Sequence, residues 1–222
     1  MPARRPLPAR RPLPAAVLFD WDGTLVDTLA MIYRANVIAL GAHGITMTRA
    51  WFLEGYTPDW RRAYRDLGVP EALWGDVSDR WAAEMTRMRP RALPWARGGL
   101  RRLRRRGVRL GLVTASTRGV VEPNLARLNL ADAFEVMVFA DDVAQGKPHP
   151  EGLLRALDAM ALPPDATVYV GDTVVDLEMA RAAGAPFAAV GTTTTADAFN
   201  AAGVARVWPG VGAWADALLG TT

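Results

Sequence analysis

The sequence predicts an α/β protein: a Rossmann-like parallel sheet flanked by helices, with an all-helical cap inserted after the first strand. Three observations carry this reading. Short β-type runs alternate with helical stretches along most of the chain, the pattern of a parallel sheet. The alternation is interrupted once, from Thr28 to Pro94, by helical patterns with no convincing strand. Half of the 222 residues are hydrophobic, enough to bury one sizeable core. The expected organisation is a tail at 1–14, a catalytic core from 15–27 and 95–222, and a helical cap at 28–94.

The tail opens with PARRPL repeated in tandem, a Pro/Arg segment that cannot bury apolar surface and reads as disordered or loosely held. Its Arg4, Arg5, Arg10 and Arg11 account for the basic balance, because without them the formal net charge falls from +3 to −1. A nucleic-acid partner is therefore not expected. The cluster RRLRRR, Arg101 to Arg106, reads as the solvated face of a helix with cations near its C-terminal end. No aromatic residues interleave with it, as a nucleic-acid surface would require. The apolar run AAVLF is cut short by Asp20, too soon for a secretory signal, and no run approaches a membrane helix. The expected location is the cytoplasm, with no membrane and no obligate protein partner. Without cysteine, disulfides, zinc thiolate sites and cysteine nucleophiles are excluded. Two histidines, His43 and His149, are too few for a histidine-rich metal site.

Strands are expected at Ala16 to Phe19, Arg109 to Val113, Val136 to Phe139, Thr167 to Val170 and Phe187 to Val190, with a weaker one at Ala205 to Trp208. Helices are expected at Gly99 to Arg106, Arg118 to Leu128, Glu151 to Met160 and Asp176 to Ala183, stopped by Gly107, Pro163-Pro164 and Gly184. Pro123 falls inside the second and predicts a later first turn. In the cap, Trp51, Phe52, Trp60, Tyr64, Trp74 and Trp81 are spaced for buried helix faces, so they read as cap core rather than as a cofactor site.

Several residues fall at or just beyond the carboxyl ends of the expected strands: Asp20 and Asp22 in VLFDWDGTLVDT, Thr114 after RLGLV, Lys147 in AQGKPHP, and Asp172 with Asp176 in VYVGDTVVD. An open α/β sheet binds ligands outside those ends, so residues remote in sequence converge there. Two acids so close repel by about 1 kcal/mol in water and by several in a lower dielectric, which calls for a metal ion or a role in proton transfer. Oxygen ligands without histidine or thiol suit Mg²⁺. Lys147 is the only lysine, against twenty-five arginines.

DWDGTLVDT, LVTAS, GKPHP and GDTVVD, in that order, resemble the four signature motifs of the haloacid dehalogenase superfamily. The resemblance runs from Ala16 to Val190 and includes the cap, pointing to the branch that holds phosphoglycolate phosphatase and β-phosphoglucomutase. It implies a Mg²⁺-dependent phosphatase acting on a small phosphorylated metabolite through an aspartyl-phosphate. Asp20 would be the nucleophile, and Asp22 the acid and then the base. The Asp20 carboxylate, the Asp22 carbonyl and the Asp172 carboxylate would hold Mg²⁺, with Asp176 a further or outer ligand. Thr114, with the Ala115 backbone, would bind the phosphoryl group, and Lys147 would screen it while steadying Asp20. The pKa of Asp22 is expected to be raised by its neighbour Asp20.

Two departures stand out. Ala115 replaces a frequent amide residue, leaving only a backbone contact there, and Trp21 replaces a smaller apolar residue, a change expected to affect packing beneath the cap. Closure is expected to bend the chain near Thr24 to Thr28 and Pro90 to Pro94. Arg49, Tyr56, Arg61, Arg62 and Arg65 are candidates for recognising an anionic substrate such as phosphoglycolate. A phosphomutase of the same superfamily would use the same aspartates and stays open. A dehalogenase would lack Asp22, and a phosphonate hydrolase would need a cap lysine that is absent. A phospho-accepting signalling module would place its acidic pair before the accepting aspartate, whereas here the pair comes last. A calcium loop counted from Asp20 would need Gly and Glu where Leu25 and Met31 stand. The only serines, Ser78 and Ser116, lie outside any GxSxG.

Overall fold

The structure is a computed structural model that describes residues 12–221. Among them, eight strands are β1 (Ala16–Phe19), β2 (Val26–Asp27), β3 (Arg91–Ala92), β4 (Arg109–Val113), β5 (Val136–Val138), β6 (Thr167–Gly171), β7 (Phe187–Val190) and β8 (Val207–Trp208). The helices are α1 (Leu29–Gly41), α2 (Arg49–Gly55), α3 (Trp60–Asp66), α4 (Trp74–Arg87), α5 (Ala96–Arg105), α6 (Arg118–Arg127), α7 (Glu151–Ala159), α8 (Val174–Ala182), α9 (Ala196–Ala201) and α10 (Val211–Leu219).

Six strands form a parallel sheet in the order β5-β4-β1-β6-β7-β8. β1 is fully buried, and its period-two alternation feeds two cores. Val17 and Phe19 point into one with Leu100 and Leu103 of α5, Val121 and Leu125 of α6, and Trp214 of α10. Ala16 and Leu18 point into the other with Leu153 and Leu157 of α7 and Met179 of α8. In α5 only the apolar stripe is covered, while Arg101, Arg104 and Arg105 stay exposed and Arg102 pairs with Asp216 at 2.9 Å. The arginine cluster is thus a solvated helix face.

Between β2 and β3 the chain is entirely helical, α1 to α4 with one short 3₁₀ turn. Ile32, Ala35, Phe52, Tyr64, Val77 and Met85 form the buried centre of this segment, joined by Val120 of α6.

Several boundaries differ from the sequence reading. α5 begins at Ala96, three residues early, and α6 begins at Arg118 and runs through Pro123. Pro123 lies in the second turn, after Val121 has begun the ladder by donating to Thr117 O, so the helix runs on without the one amide bond that a residue there would make to Gly119 O. The stretch from Thr28 to Pro94 is not free of strand: β3 pairs antiparallel with β2, Val26 opposite Ala92 and Asp27 opposite Arg91. Two residues are too few to leave a periodic signal. The tail assigned to 1–14 lies outside the described residues up to Arg11, and Leu13 is half-buried against the α5/α6/α10 core.

Candidate active site

β1 ends at Phe19, and Asp20 follows with its amide bonded to Val170 O of β6 at 2.9 Å. The chain then turns sharply: Leu25 and Val26 both donate to Trp21 O, and Gly23, at φ 74°, donates to Val26 O at 2.9 Å. Glycine is required twice over at position 23. The left-handed conformation suits it, and an added Cβ would collide with the Asp172 carboxylate. The Trp21 ring is 1% exposed and belongs to the α5/α6/α10 core, not to the packing beneath the helical segment. Its backbone carbonyl anchors the turn that presents the two acids.

From β6, Asp172 enters the same space, its Oδ1 accepting from the Thr24 hydroxyl at 2.8 Å. Asp176 is fixed by the start of α8. Its amide donates to Thr173 Oγ1 at 3.2 Å, and its Oδ2 accepts from the Thr173 hydroxyl at 2.6 Å and amide at 3.1 Å, a reciprocal cap. Carboxylate oxygens of Asp20, Asp172 and Asp176 lie within 4.8 Å of one another. Asp22 stands outside that trio; its Oδ2 accepts from the Ser116 hydroxyl at 2.6 Å.

Lys147 reaches the trio from the loop after β5. Its ammonium donates to Asp20 Oδ1 at 2.6 Å, Asp176 Oδ1 at 2.7 Å and Tyr169 Oη at 2.7 Å, so all three protons are committed. Tyr169, fully buried on β6, passes its own proton to Val113 O of β4 at 2.9 Å. Thr114 follows β4, and its hydroxyl accepts from the Ser116 amide at 3.0 Å, leaving its proton to donate elsewhere. Ala115 lines the cleft beside it. The sequence reading gave Ser116 and Tyr169 no role here. Ser116 is the second hydroxyl of LVTAS and could have been noticed. Tyr169 could not, since its partners depend on the strand order.

Four acids face one cation, and their electrostatics follow. Burial pushes the Asp20 carboxyl well above the usual range against the pull of Lys147, with Asp176, Asp172 and Asp22 adding to the rise. Burial, then Asp176, pushes Asp172 up to about 7. Asp22 is also raised, chiefly by burial, while the Ser116 and Thr28 hydroxyls partly offset the rise. Lys147 would fall with burial, but Asp176 and Asp20 outweigh it and hold the ammonium above the ordinary lysine range. Asp172 Oδ2 and Asp22 Oδ1 are buried with no hydrogen-bond partner among the described residues. Two charges 4 Å apart repel by about 4 kcal/mol at an effective dielectric of 20, so this cluster is short of positive charge. An all-oxygen donor set with an unpartnered buried carboxylate oxygen fits a hard divalent cation.

Above the acids opens a cleft of about 900 Å³ whose far wall is the helical segment. Tyr56, Arg61 and Arg65 line it, whereas Arg49 and Arg62 do not: Arg49 is exposed, and Arg62 pairs with Asp66 at 3.7 Å. The phenol of Tyr56 is held well above its usual pKa by burial and then by the negative field of Asp22, Asp172 and Asp20. It therefore remains a neutral donor.

Signature residues on four strand ends, converging on one acidic cluster under a helical roof, define a hydrolase of the haloacid dehalogenase type. The family profile of the haloacid dehalogenase-like hydrolases matches residues 17–190, and the chain belongs to that family. The plasmid-borne phosphoglycolate phosphatase of Cupriavidus necator is 36% identical over 182 residues, covering 77% of this chain and 78% of that protein. The phosphoglycolate phosphatase of Yersinia pseudotuberculosis is 31% identical over 180 residues, covering 77% and 78%. Among solved structures, a haloacid dehalogenase-like hydrolase from Bacteroides fragilis matches with TM-score 0.82 at 28% identity, covering 89% of this chain and 98% of that one. CbbY from Rhodobacter sphaeroides, in complex with phosphate, matches with TM-score 0.74 at 25% identity, covering 90% and 96%. The chain is a phosphatase, a hydrolase of phosphoric monoesters.

Proposed function

We propose that the protein hydrolyses a small phosphomonoester in two steps through a phosphorylated Asp20, with Mg²⁺ as its cofactor. The observation that carries this reading is the buried excess of carboxylates: Asp20, Asp172 and Asp176 cluster together, while the one ammonium among them pairs only with Asp20 and Asp176. Asp20 and Asp172, with the Asp22 carbonyl and with Asp176 as an outer support, would hold the ion. When bound, the cation supplies the positive charge that lets a carboxylate approach a phosphate dianion.

The rest falls to the chain itself. Lys147 has no proton to spare for the substrate, so it acts by fixing Asp20 and by its charge. An Asp20 oxygen bonds to phosphorus as the bond from phosphorus to the ester oxygen breaks. Asp22, kept protonated more readily by burial and oriented by Ser116, gives the leaving oxygen its proton. Asp22 then takes a proton from water as that water attacks phosphorus, which frees Asp20 and inorganic phosphate. Thr114 donates its proton to the transferring group. The helical segment closes over the site as a cap, hinged at the β2/β3 ribbon. The names of the relatives supply one candidate substrate, phosphoglycolate.

The test is Mg²⁺-dependent phosphate release from p-nitrophenyl phosphate. Asp20→Asn should lower kcat by about 10⁴-fold or more, the scale on which nucleophiles act. Turnover retained in that variant, or undiminished by a chelator, contradicts the reading.

A further inference from the structure

The cap wall of the cleft is aromatic. Trp51, Phe52, Tyr56, Trp60, Tyr64 and Trp81 all line it, from three different helices and the loop between α2 and α3. Sequence spacing assigned most of these rings to the cap's own core, and Phe52 and Tyr64 are indeed buried there. Trp51, Tyr56, Trp60 and Trp81 are different: each is only half-buried, packing against that core on one side while lining the cleft. The rings brace one another edge-on, Phe52 with Tyr56 at 5.2 Å and 61°, Trp60 with Tyr64 at 5.3 Å and 65°. A braced ring loses little entropy when a ligand settles on it, and its free surface favours another ring, edge-on or offset.

Volume and charge point the same way. About 900 Å³ lies near the top of the range for small-molecule sites, roughly 300–1,000 Å³. A two-carbon substrate such as phosphoglycolate would leave most of the aromatic wall wet. Its carboxylate would be held most strongly by a buried, uncommitted cation. Lys147 is fully engaged by Asp20, Asp176 and Tyr169, Arg61 and Arg65 are exposed, and the Arg61 guanidinium carbon lies 4.4 Å from the Trp60 ring centroid.

We infer that the cleft selects phosphomonoesters whose leaving alcohol carries an aromatic or heteroaromatic ring, with Trp60, Trp81 and Tyr56 as the specificity-determining side chains. This rests on the phosphatase reading above and departs from phosphoglycolate as the substrate. The phosphoryl group sits on the acids of the sheet, and the ring lies against the cap.

The test compares kcat/KM, with Mg²⁺, for benzyl phosphate, cyclohexylmethyl phosphate, glycerol 3-phosphate and phosphoglycolate, all alkyl esters, with p-nitrophenyl phosphate as a control for activity. Benzyl phosphate should exceed both glycerol 3-phosphate and phosphoglycolate by about tenfold or more, and cyclohexylmethyl phosphate by a smaller factor, the scale of ring burial and stacking. Trp81→Leu and, separately, Trp60→Leu should lower the benzyl phosphate value by about tenfold and leave glycerol 3-phosphate within about twofold. In the unaltered protein, phenylphosphonate should quench tryptophan fluorescence and compete with benzyl phosphate far better than inorganic phosphate does, a readout that needs no variant to fold. A preference for phosphoglycolate, equal rates for benzyl and cyclohexylmethyl phosphate, or variants that lose all substrates equally would overturn the inference while leaving the phosphatase standing. Failure to hydrolyse even p-nitrophenyl phosphate removes both.

Discussion

The floor and the roof of the cleft are built on opposite principles. The floor is polar, buried and interlocked: Lys147 donates three protons, Asp176 serves both the ammonium and the α8 cap, and Asp172 takes the Thr24 hydroxyl while its Oδ2 keeps no partner among the described residues. The roof is aromatic, with Phe52, Tyr56, Trp60 and Tyr64 packed edge-on and Trp51, Tyr56, Trp60 and Trp81 only half-buried. A charge cluster tolerates no missing partner, because each loss strands a buried charge. A ring wall can exchange one apolar side chain for another and change only what fits. The floor therefore fixes the reaction and the roof the substrate.

The contrast is sharpest at Lys147. Without divalent metal and at a pH of about 8, Lys147→Ala should destabilise the fold by about 3–5 kcal/mol, lowering Tm by roughly 10 °C, because Asp20 and Asp176 are left facing each other. Tyr169→Phe should cost less, about 1–3 kcal/mol, since it takes one partner each from Lys147 and the Val113 carbonyl. Thermal unfolding of both variants beside Trp81→Leu ranks floor against roof, and a roof variant as damaging as Lys147→Ala would break the comparison.

A smaller effect separates the metal-free floor from the loaded one. Asp172, pushed up to about 7, binds a proton in the fold that the unfolded chain has released above a pH of about 4. The folded state thus binds more protons in that window, and the metal-free protein loses this contribution as pH rises toward and through 7. Mg²⁺ needs the carboxylate, so the stabilisation it gives should grow over the same range. Melting curves with and without Mg²⁺ should differ by a few degrees more at a pH of about 8 than at about 5.5. A difference that shrinks with pH would contradict the assignment of Asp172 to the ion.

The same contrast explains what could be read in the sequence. Floor residues sit where an apolar run meets an abrupt polar one, as at Phe19-Asp20, Val113-Thr114 and Gly171-Asp172, so strand ends and candidate chemistry were found together. Lys147 stood out as the only lysine. Trp21 looked anomalous because it stands where a smaller apolar residue is usual, but its ring belongs to the core behind the two acids. Tyr169 was invisible, because its contacts with Lys147 and Val113 exist only once β6, β1 and β4 lie side by side. In the roof, spacing identified buried rings but not which of their surfaces would stay open to the cleft. The short α9 and α10 went unread although Thr195 caps the first and Gly220 closes the second.

The central claim is a division of labour between two acids one residue apart, Asp20 attacking and Asp22 moving the proton. The direct test is mass spectrometry of Asp22→Ala, quenched in acid after mixing with p-nitrophenyl phosphate and Mg²⁺. This good leaving group departs without a proton, while the water that should release phosphate lacks its base. One phosphoryl group should accumulate on the peptide that carries Asp20. Turnover at the unaltered rate, or a phosphoryl group on any other residue, would contradict the account.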